Sequence, residues 1–304
     1  MRRATKIGLT VAALAIACAA AGWALTSPNR LSAEELAALP EGNAAAGERI
    51  FWAGGCASCH AAPQASGEAM LQLAGGVELE SAFGTFVAPN ISSDPDHGIG
   101  GWTASDFANA VRRGVAPDGQ HYYPAFPYTS YSRMSDRDVA DLFAFMQTLP
   151  AAASDAPAHR VSFPFTVRRG IGLWKRLYLN EQPQVALSGA SEEAVRGQYL
   201  VEALGHCGEC HTPRAVTGGL ETDRWLGGRP NITPAGDIAN WSETDIAYYL
   251  ESGFTPDFDS AGGRMAAVVR NMARLPAEDR EAIAAYLKAV PPVESQAESE
   301  EAAD

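Results

Sequence analysis

The sequence predicts an all-α protein: two tandem copies of one helical unit, preceded by an apolar helix. Three observations carry this prediction. Landmarks of residues 40–150 recur in the same order in residues 191–292. Apolar residues return at helical spacing in Val139, Leu142, Phe143 and Met146, and again in Ile283, Tyr286, Leu287 and Val290. No long alternating run argues for strands.

The chain opens with Arg2, Arg3 and Lys6 and then runs apolar from Ile7 to Thr26. Twenty helical residues at about 1.5 Å each just cross a hydrocarbon core. The basic end stays cytoplasmic, so everything after residue 27 lies outside the cytoplasm. Residues 1–27 either remain as an anchor or are cleaved near Ala19-Ala20-Ala21, a small-residue site. Lipidation of Cys18 is a third fate, poorly served by Ala15-Ile16-Ala17 before it.

In the first unit, residues 40–150, Gly47 opens a helical stretch that leads to Cys56-Ala57-Ser58-Cys59-His60. Pro89-Asn90-Ile91-Ser92, Trp102-Thr103, Gly114 and Met134-Ser135-Asp136 follow. In the second unit, residues 191–292, Gly197 leads to Cys207-Gly208-Glu209-Cys210-His211. Pro230-Asn231-Ile232-Thr233, Trp241-Ser242, Gly253 and Leu275-Pro276-Ala277 follow. Thr103 with Asp106, and Ser242 with Asp245, read as capping boxes with Asp in the usual Glu place. Pro150 and Pro291 stop the last helices. Six matched features in one order point to duplication. Residues 151–190 between the units hold Phe163-Pro164-Phe165 and the apolar stretch from Trp174 to Leu179, so a packed linker is expected rather than a free tether. Residues 293–304 form an acidic tail expected to be disordered.

Both five-residue motifs read C-x-x-C-H, the attachment pattern of c-type haem. Each pair of thiols, Cys56 with Cys59 and Cys207 with Cys210, adds across the two haem vinyl groups. His60 and His211 then ligate the iron from the proximal side. Two covalently bound haem c groups are the expected cofactors. A zinc site would need its two C-x-x-C pairs close together, and here they lie 151 residues apart. Four of five cysteines are committed to the motifs, which leaves Cys18 and excludes a disulfide framework. The net charge of −13 argues against nucleic acid, which needs a basic face.

These residues resemble the class I cytochrome c family over both halves. A narrower resemblance is to the cytochrome c subunits of periplasmic, membrane-bound dehydrogenases for alcohols, gluconate and similar substrates. It rests on Ala88-Pro89-Asn90-Ile91-Ser92, on the run Tyr122-Tyr123-Pro124-Ala125-Phe126-Pro127-Tyr128-Thr129-Ser130-Tyr131 ending at Met134, and on Phe163-Pro164-Phe165 before Trp174. Those subunits typically carry three haem domains, against two motifs here. The resemblance implies a close crossing of the first and last helices in each unit, Gly47 facing Phe145 and Gly197 facing Tyr286. It implies Met134 as the distal ligand of the first iron, with His121 the rival. Met70 is too near the motif and Met146 sits on an apolar helix face. In the second unit Leu275 aligns with Met134 and cannot ligate, so Met265 is the expected ligand and Met272 the alternative.

Trp102 and Trp241 either wall the haem crevices or pack in the core. Arg113 and Arg214 either pair with haem propionates or are solvated. His97, His159 and His206 are expected to be ordinary polar residues. The implied role is electron transfer in the periplasm, without catalysis, from a dehydrogenase subunit to a cytochrome or oxidase. The protein would sit on the periplasmic side of the inner membrane, anchored by the N-terminal segment, or be cleaved and soluble there. The alternative is a dihaem enzyme, a peroxidase or sulfur-compound dehydrogenase, with one open or labile haem.

Overall fold

The apolar N-terminal run folds as one 24-residue helix, α1 (Arg2–Leu25), in a computed structural model that describes residues 2–294. The acidic stretch 295–304 lies outside the described residues. Within α1, Lys6–Leu25 is long and apolar enough to cross a membrane, and none of that span is buried. A short helix α2 (Ala33–Ala37) follows, closed by a Ser32–Glu35 capping box.

The first unit contains α3 (Ala44–Ala53), the motif helix α4 (Cys56–His60), α5 (Ala104–Arg113), α6 (Tyr128–Tyr131) and α7 (Asp136–Met146). The second contains α9 (Glu192–Tyr199), α10 (Gly208–His211), α11 (Glu243–Ser252), α12 (Met265–Met272) and α13 (Ala277–Ala289). Helix α8 (Ile171–Tyr178) belongs to the linker. Both predicted capping boxes form, Thr103 with Asp106 on α5 and Ser242 with Asp245 on α11. Gly114 and Gly253 end those helices at φ 59° and 80°, left-handed backbone that a residue without Cβ adopts freely.

The first and last helices of each unit cross at glycine. A Cβ on Gly47 would lie 1.9 Å from the Asp141 carbonyl oxygen and 2.8 Å from Phe145 Cβ. A Cβ on Gly197 would lie 1.8 Å from the Ala282 oxygen and 2.8 Å from Tyr286 Cβ. Fully buried rings sit on the helices that make these α3–α7 and α9–α13 crossings, Phe51 on α3 and Tyr286 on α13. The second unit has one more residue between its glycine and its motif than the first. The structure absorbs it as a π-helical turn, Leu200–Leu204, which continues α9.

The sequence showed no strand pattern, yet a small antiparallel sheet forms. Its strands are β1 (Glu78–Ser81), β2 (Gly84–Val87) and β3 (Arg160–Val161), in that order. Two to four residues are too few to display an alternation. Gly84 makes the hairpin possible at φ 124°, where a Cβ would lie 2.4 Å from the Arg160 oxygen. The third strand comes from the linker, and Arg160 clamps Glu78 with two bonds of 2.9 and 2.6 Å. The linker also reaches the second unit, where Trp174 Nε1 donates to the Thr217 oxygen at 3.0 Å.

Candidate functional site

The two C-x-x-C-H segments fold alike. Each forms one short helical turn that follows the first helix of its unit, with the histidine in its last position. His60 Nδ1 lies 2.8 Å from the Pro89 carbonyl oxygen, and His211 Nδ1 lies 2.9 Å from the Pro230 oxygen. A carbonyl oxygen only accepts, so Nδ1 carries the proton in both rings. That tautomer leaves the Nε2 lone pair free for a metal. A ligating histidine whose other nitrogen is held by a carbonyl is the common arrangement around bound iron and zinc. Burial lowers both imidazoles below the usual range, and the proline carbonyls oppose that shift. The rings are therefore neutral donors.

The prolines belong to the repeated Pro-Asn-Ile-Ser/Thr segments, which the structure explains. Asn90 Nδ2 donates to the Ala152 and Ser154 oxygens at 2.7 and 2.8 Å. Asn231 Nδ2 donates to the Val293 oxygen at 2.7 Å. Each asparagine pins the chain leaving the last helix to the loop that bonds the histidine. The sequence showed these segments as matched landmarks but not as partners of the motif histidines.

The cysteines make no disulfide. Burial pushes Cys56 and Cys207 up to about 12. Thiolate ligands for a bare metal would need the opposite environment. Among the described residues no cluster of three or more His, Cys, Asp or Glu forms a metal cage. Neutral thioethers and a neutral imidazole suit this surrounding, so the donor set fits haem c.

Both motifs face the seam between the units. Ser58 Oγ, in the first motif, accepts from Asn271 Nδ2 of α12 at 2.6 Å. Glu209, at the equivalent place in the second, accepts from Thr129 Oγ1 of α6 at 2.7 Å and pairs with Arg214 at 2.5 Å. The Tyr131 and His206 rings meet edge to face at 5.6 Å. Buried Asp279 is held from both sides, by Arg49 at 2.6 Å and Arg196 at 3.1 Å. A cleft of about 280 Å³ opens along the seam, lined by Ala57, Ala61 and Met70 of the first unit and Arg264 and Ala267 of the second.

The expected distal residues take different positions. Met134 is 3% exposed, just before α7, and its N–H bonds the Tyr131 oxygen. Leu275 is 4% exposed and makes the same bond to Met272 just before α13. Leu275 is thus the structural counterpart of Met134. Met265 is half-buried as the first residue of α12, and Met272 is buried as its last. The counterpart of Met265 falls in the Pro124–Phe126 stretch, where Phe126 packs against Tyr128 and Tyr131. The two expected methionines therefore come from non-equivalent places in the repeat.

The other candidates are engaged as follows. His121 donates Nε2–H to the Thr26 oxygen at 3.0 Å. His97 meets Asp155 at 2.9 Å, and His159 Nδ1 accepts from the Val87 N–H at 3.0 Å. Arg113 bonds Glu181 and lies 3.3 Å from Glu35. Trp102 and Trp241 are half-buried at matching places beside the core. Met70 and Met146 are core residues.

A family model for cytochrome c matches residues 44–150 and 194–291. The chain belongs to the cytochrome c family. Its helical units, its two matched segments and its neutral motif histidines all agree with that membership, and haem c is the family's cofactor. The chain is 55% identical over 301 residues to a protein of Cereibacter sphaeroides named diheme cytochrome c-type, covering 97% of this chain and all of that one. It is 36% identical over 258 residues to the fructose dehydrogenase cytochrome subunit of Gluconobacter japonicus. It is 34% identical over 267 residues to the cytochrome c subunit of a quinone alcohol dehydrogenase of Gluconobacter oxydans. Each of those two alignments covers 81% of this chain but only about half of the relative.

Proposed function

We propose that this cytochrome binds two haem c groups and relays electrons on the periplasmic side of the inner membrane, from a dehydrogenase subunit to a cytochrome or oxidase. The observation that carries this reading is the bond from histidine Nδ1 to a proline carbonyl, made identically in both units. The bound iron supplies one-electron chemistry. Cys56, Cys59, Cys207 and Cys210 would hold the macrocycles, and His60 and His211 would give each iron a neutral proximal donor. Met134 and Met265 would close the distal sides, with soft sulfur donors that favour the reduced state relative to a second histidine. Trp102 and Trp241 would cover the macrocycles, and Arg113 would lie toward the propionates of the first. Helix α1 would hold the protein at the membrane.

A pyridine haemochrome assay should return two haems per polypeptide. Cys56→Ser with Cys59→Ser should remove one, and Cys207→Ser with Cys210→Ser the other. A wild-type value below two rules the reading out. The oxidised protein should show the weak near-infrared methionine–iron band, reduced by half in Met134→Leu and in Met265→Leu.

A second reading is favoured by one observation, the non-equivalence of Met134 and Met265. If only the place of Met265 ligates, the first iron has Phe126 nearby and no sulfur donor. That haem would bind small molecules, as an enzyme of the peroxidase or sulfur-compound dehydrogenase kind requires. Ready binding of carbon monoxide at one reduced haem would select it, and no binding would select electron relay.

A further inference from the structure

Helix α8 is built onto the exit of the N-terminal span. A Cβ on Gly172 would lie 2.5 Å from the Thr26 oxygen, so the two backbones touch. One turn later Arg176 Nε donates to the Leu25 oxygen at 2.7 Å. Just before the helix, Arg169 bonds the Trp23 oxygen at 2.6 Å and Ser27 Oγ at 3.0 Å. Its guanidinium also stacks over the Trp23 ring at 3.4 Å. On its inner side α8 is locked to the first unit by Lys175 Nζ, which donates to the Arg113 and Gly114 oxygens at 2.6 and 2.7 Å. Its outward face carries Leu173, 48% exposed, and Leu177, 74% exposed, four residues apart and so on one side.

The same segment departs from the chain's charge. The protein carries −13 overall, yet no acidic residue occurs between Asp155 and Glu181. Arg168, Arg169 and Arg176 flank the apolar face in that stretch. If Lys6–Leu25 crosses the bilayer, Leu25 stands at its boundary. Leu173 and Leu177 then stand within roughly one helix diameter, about 10 Å, of the hydrocarbon. A helix with a leucine face and arginine flanks at that depth has the make-up of an interfacial element.

We infer that α8 is a second membrane contact: it seats Leu173 and Leu177 in the headgroup layer of an anionic phospholipid bilayer beside the anchor exit, and so fixes the orientation of the two units over the membrane. This rests on the proposed retention of α1 as an anchor. Trp23, gripped by Arg169, marks the same interfacial level. The neighbouring Phe163 and Val167, 80% and 55% exposed, extend the apolar surface. Tyr123 holds their loop by donating to the Phe165 oxygen at 3.0 Å.

The test uses the full chain in nanodiscs containing phosphatidylglycerol, with Cys18→Ser and a nitroxide on Leu177→Cys, Leu14→Cys or Glu278→Cys. Collision with oxygen and with a water-soluble nickel chelate reports depth by electron paramagnetic resonance. The oxygen-to-nickel ratio at position 177 should exceed that at exposed position 278 several-fold, and should fall when phosphatidylcholine replaces the anionic lipid. A label at 14 in lipid with a label at 177 as wet as at 278 overturns the platform while leaving the anchor standing. A wet label at 14 overturns the anchor itself. Shielding of 177 only when a protein partner is added would assign the face to that partner and overturn the lipid proposal. Leu177 is exposed, so its replacement leaves the fold intact and the readout interpretable.

Discussion

Replacing Gly197 by alanine separates helix propensity from helix packing, because the two act with opposite sign. In an isolated helix alanine is better than glycine by about 0.8–1.0 kcal/mol. Here the new methyl would lie 1.8 Å from the Ala282 oxygen, 2.6 Å from its carbonyl carbon and 2.8 Å from Tyr286 Cβ. Carbon atoms in contact keep about 3.5–4.0 Å. Helices α9 and α13 must therefore part by roughly 1.5 Å, since the obstacle is backbone and cannot rotate away. A radial gap of about 0.5–1 Å already forfeits a quarter to a half of the dispersion energy lining it. Overpacking of this kind costs about 1–3 kcal/mol, and a rigid backbone obstacle puts it at the top of that range. Net of propensity, Gly197→Ala should destabilise the second unit by about 2 kcal/mol. For a domain of that size the melting temperature should fall by about 8–16 °C. Thermal melts of the haem-loaded full chain, followed by far-ultraviolet circular dichroism and the Soret band, measure it. Gly47→Ala should do the same to the first unit, where the methyl meets the Asp141 oxygen at 1.9 Å. An unchanged or higher melting temperature refutes the crossing as the determinant.

Glu202 is 2% exposed and accepts from Tyr286 OH, Gln198 Nε2 and the Gln184 N–H at 2.6, 2.9 and 2.6 Å, where the first unit has Phe51 and Trp52. Glu202→Gln removes that acidic group and should raise the midpoint potential of the second haem and not the first, read by spectroelectrochemical titration; equal shifts at both haems would count against it. Lys175 is pushed down to about 7 by burial. The unfolded chain then holds its proton more firmly between about pH 7 and 10, so folding should strengthen as pH rises through that window. Lys175→Met should flatten that rise in urea titrations at pH 7 and pH 9.5. Thr103→Ala and Ser242→Ala each delete a capping box and should each cost about 1 kcal/mol in the same assay.

The repeat, both motifs and the capped helices were legible because they are local. A five-residue motif, a cap with its partner three residues on, or a glycine opposite an aromatic leaves its mark in contiguous sequence. What was not legible depends on pairs far apart in the chain. Nothing near Pro89 says that its carbonyl holds His60, 29 residues earlier, since every residue has a carbonyl and only the fold aims this one. Ser58 with Asn271 and Glu209 with Thr129 were equally silent, because each residue read alone is an ordinary polar side chain. The small sheet escaped because Arg160–Val161 is too short to show a period. The π-helical turn had a trace, the extra residue between Gly197 and Cys207, but a surplus of one could as well have been taken up by a loop.

Seam placement also explains where the two copies have diverged. After duplication, residues facing each unit's own core stay under the same constraint, and the crossings at Gly47 and Gly197 remain alike. Residues facing the other copy have no such constraint, because the two partners are no longer symmetric. Ser58, which meets Asn271, and Glu209, which meets Thr129, differ on that account. The motif helices lie among these diverged positions, so the units share their attachment chemistry while their electrostatic surroundings differ. Glu209 and Glu202 put two acidic side chains beside the second motif, and Arg214 offsets the first of them by direct pairing. Buried Glu202 has a tyrosine, a glutamine and a backbone N–H as its hydrogen-bond donors, so its effect on the second site should survive at high salt, where an exposed charge would be screened.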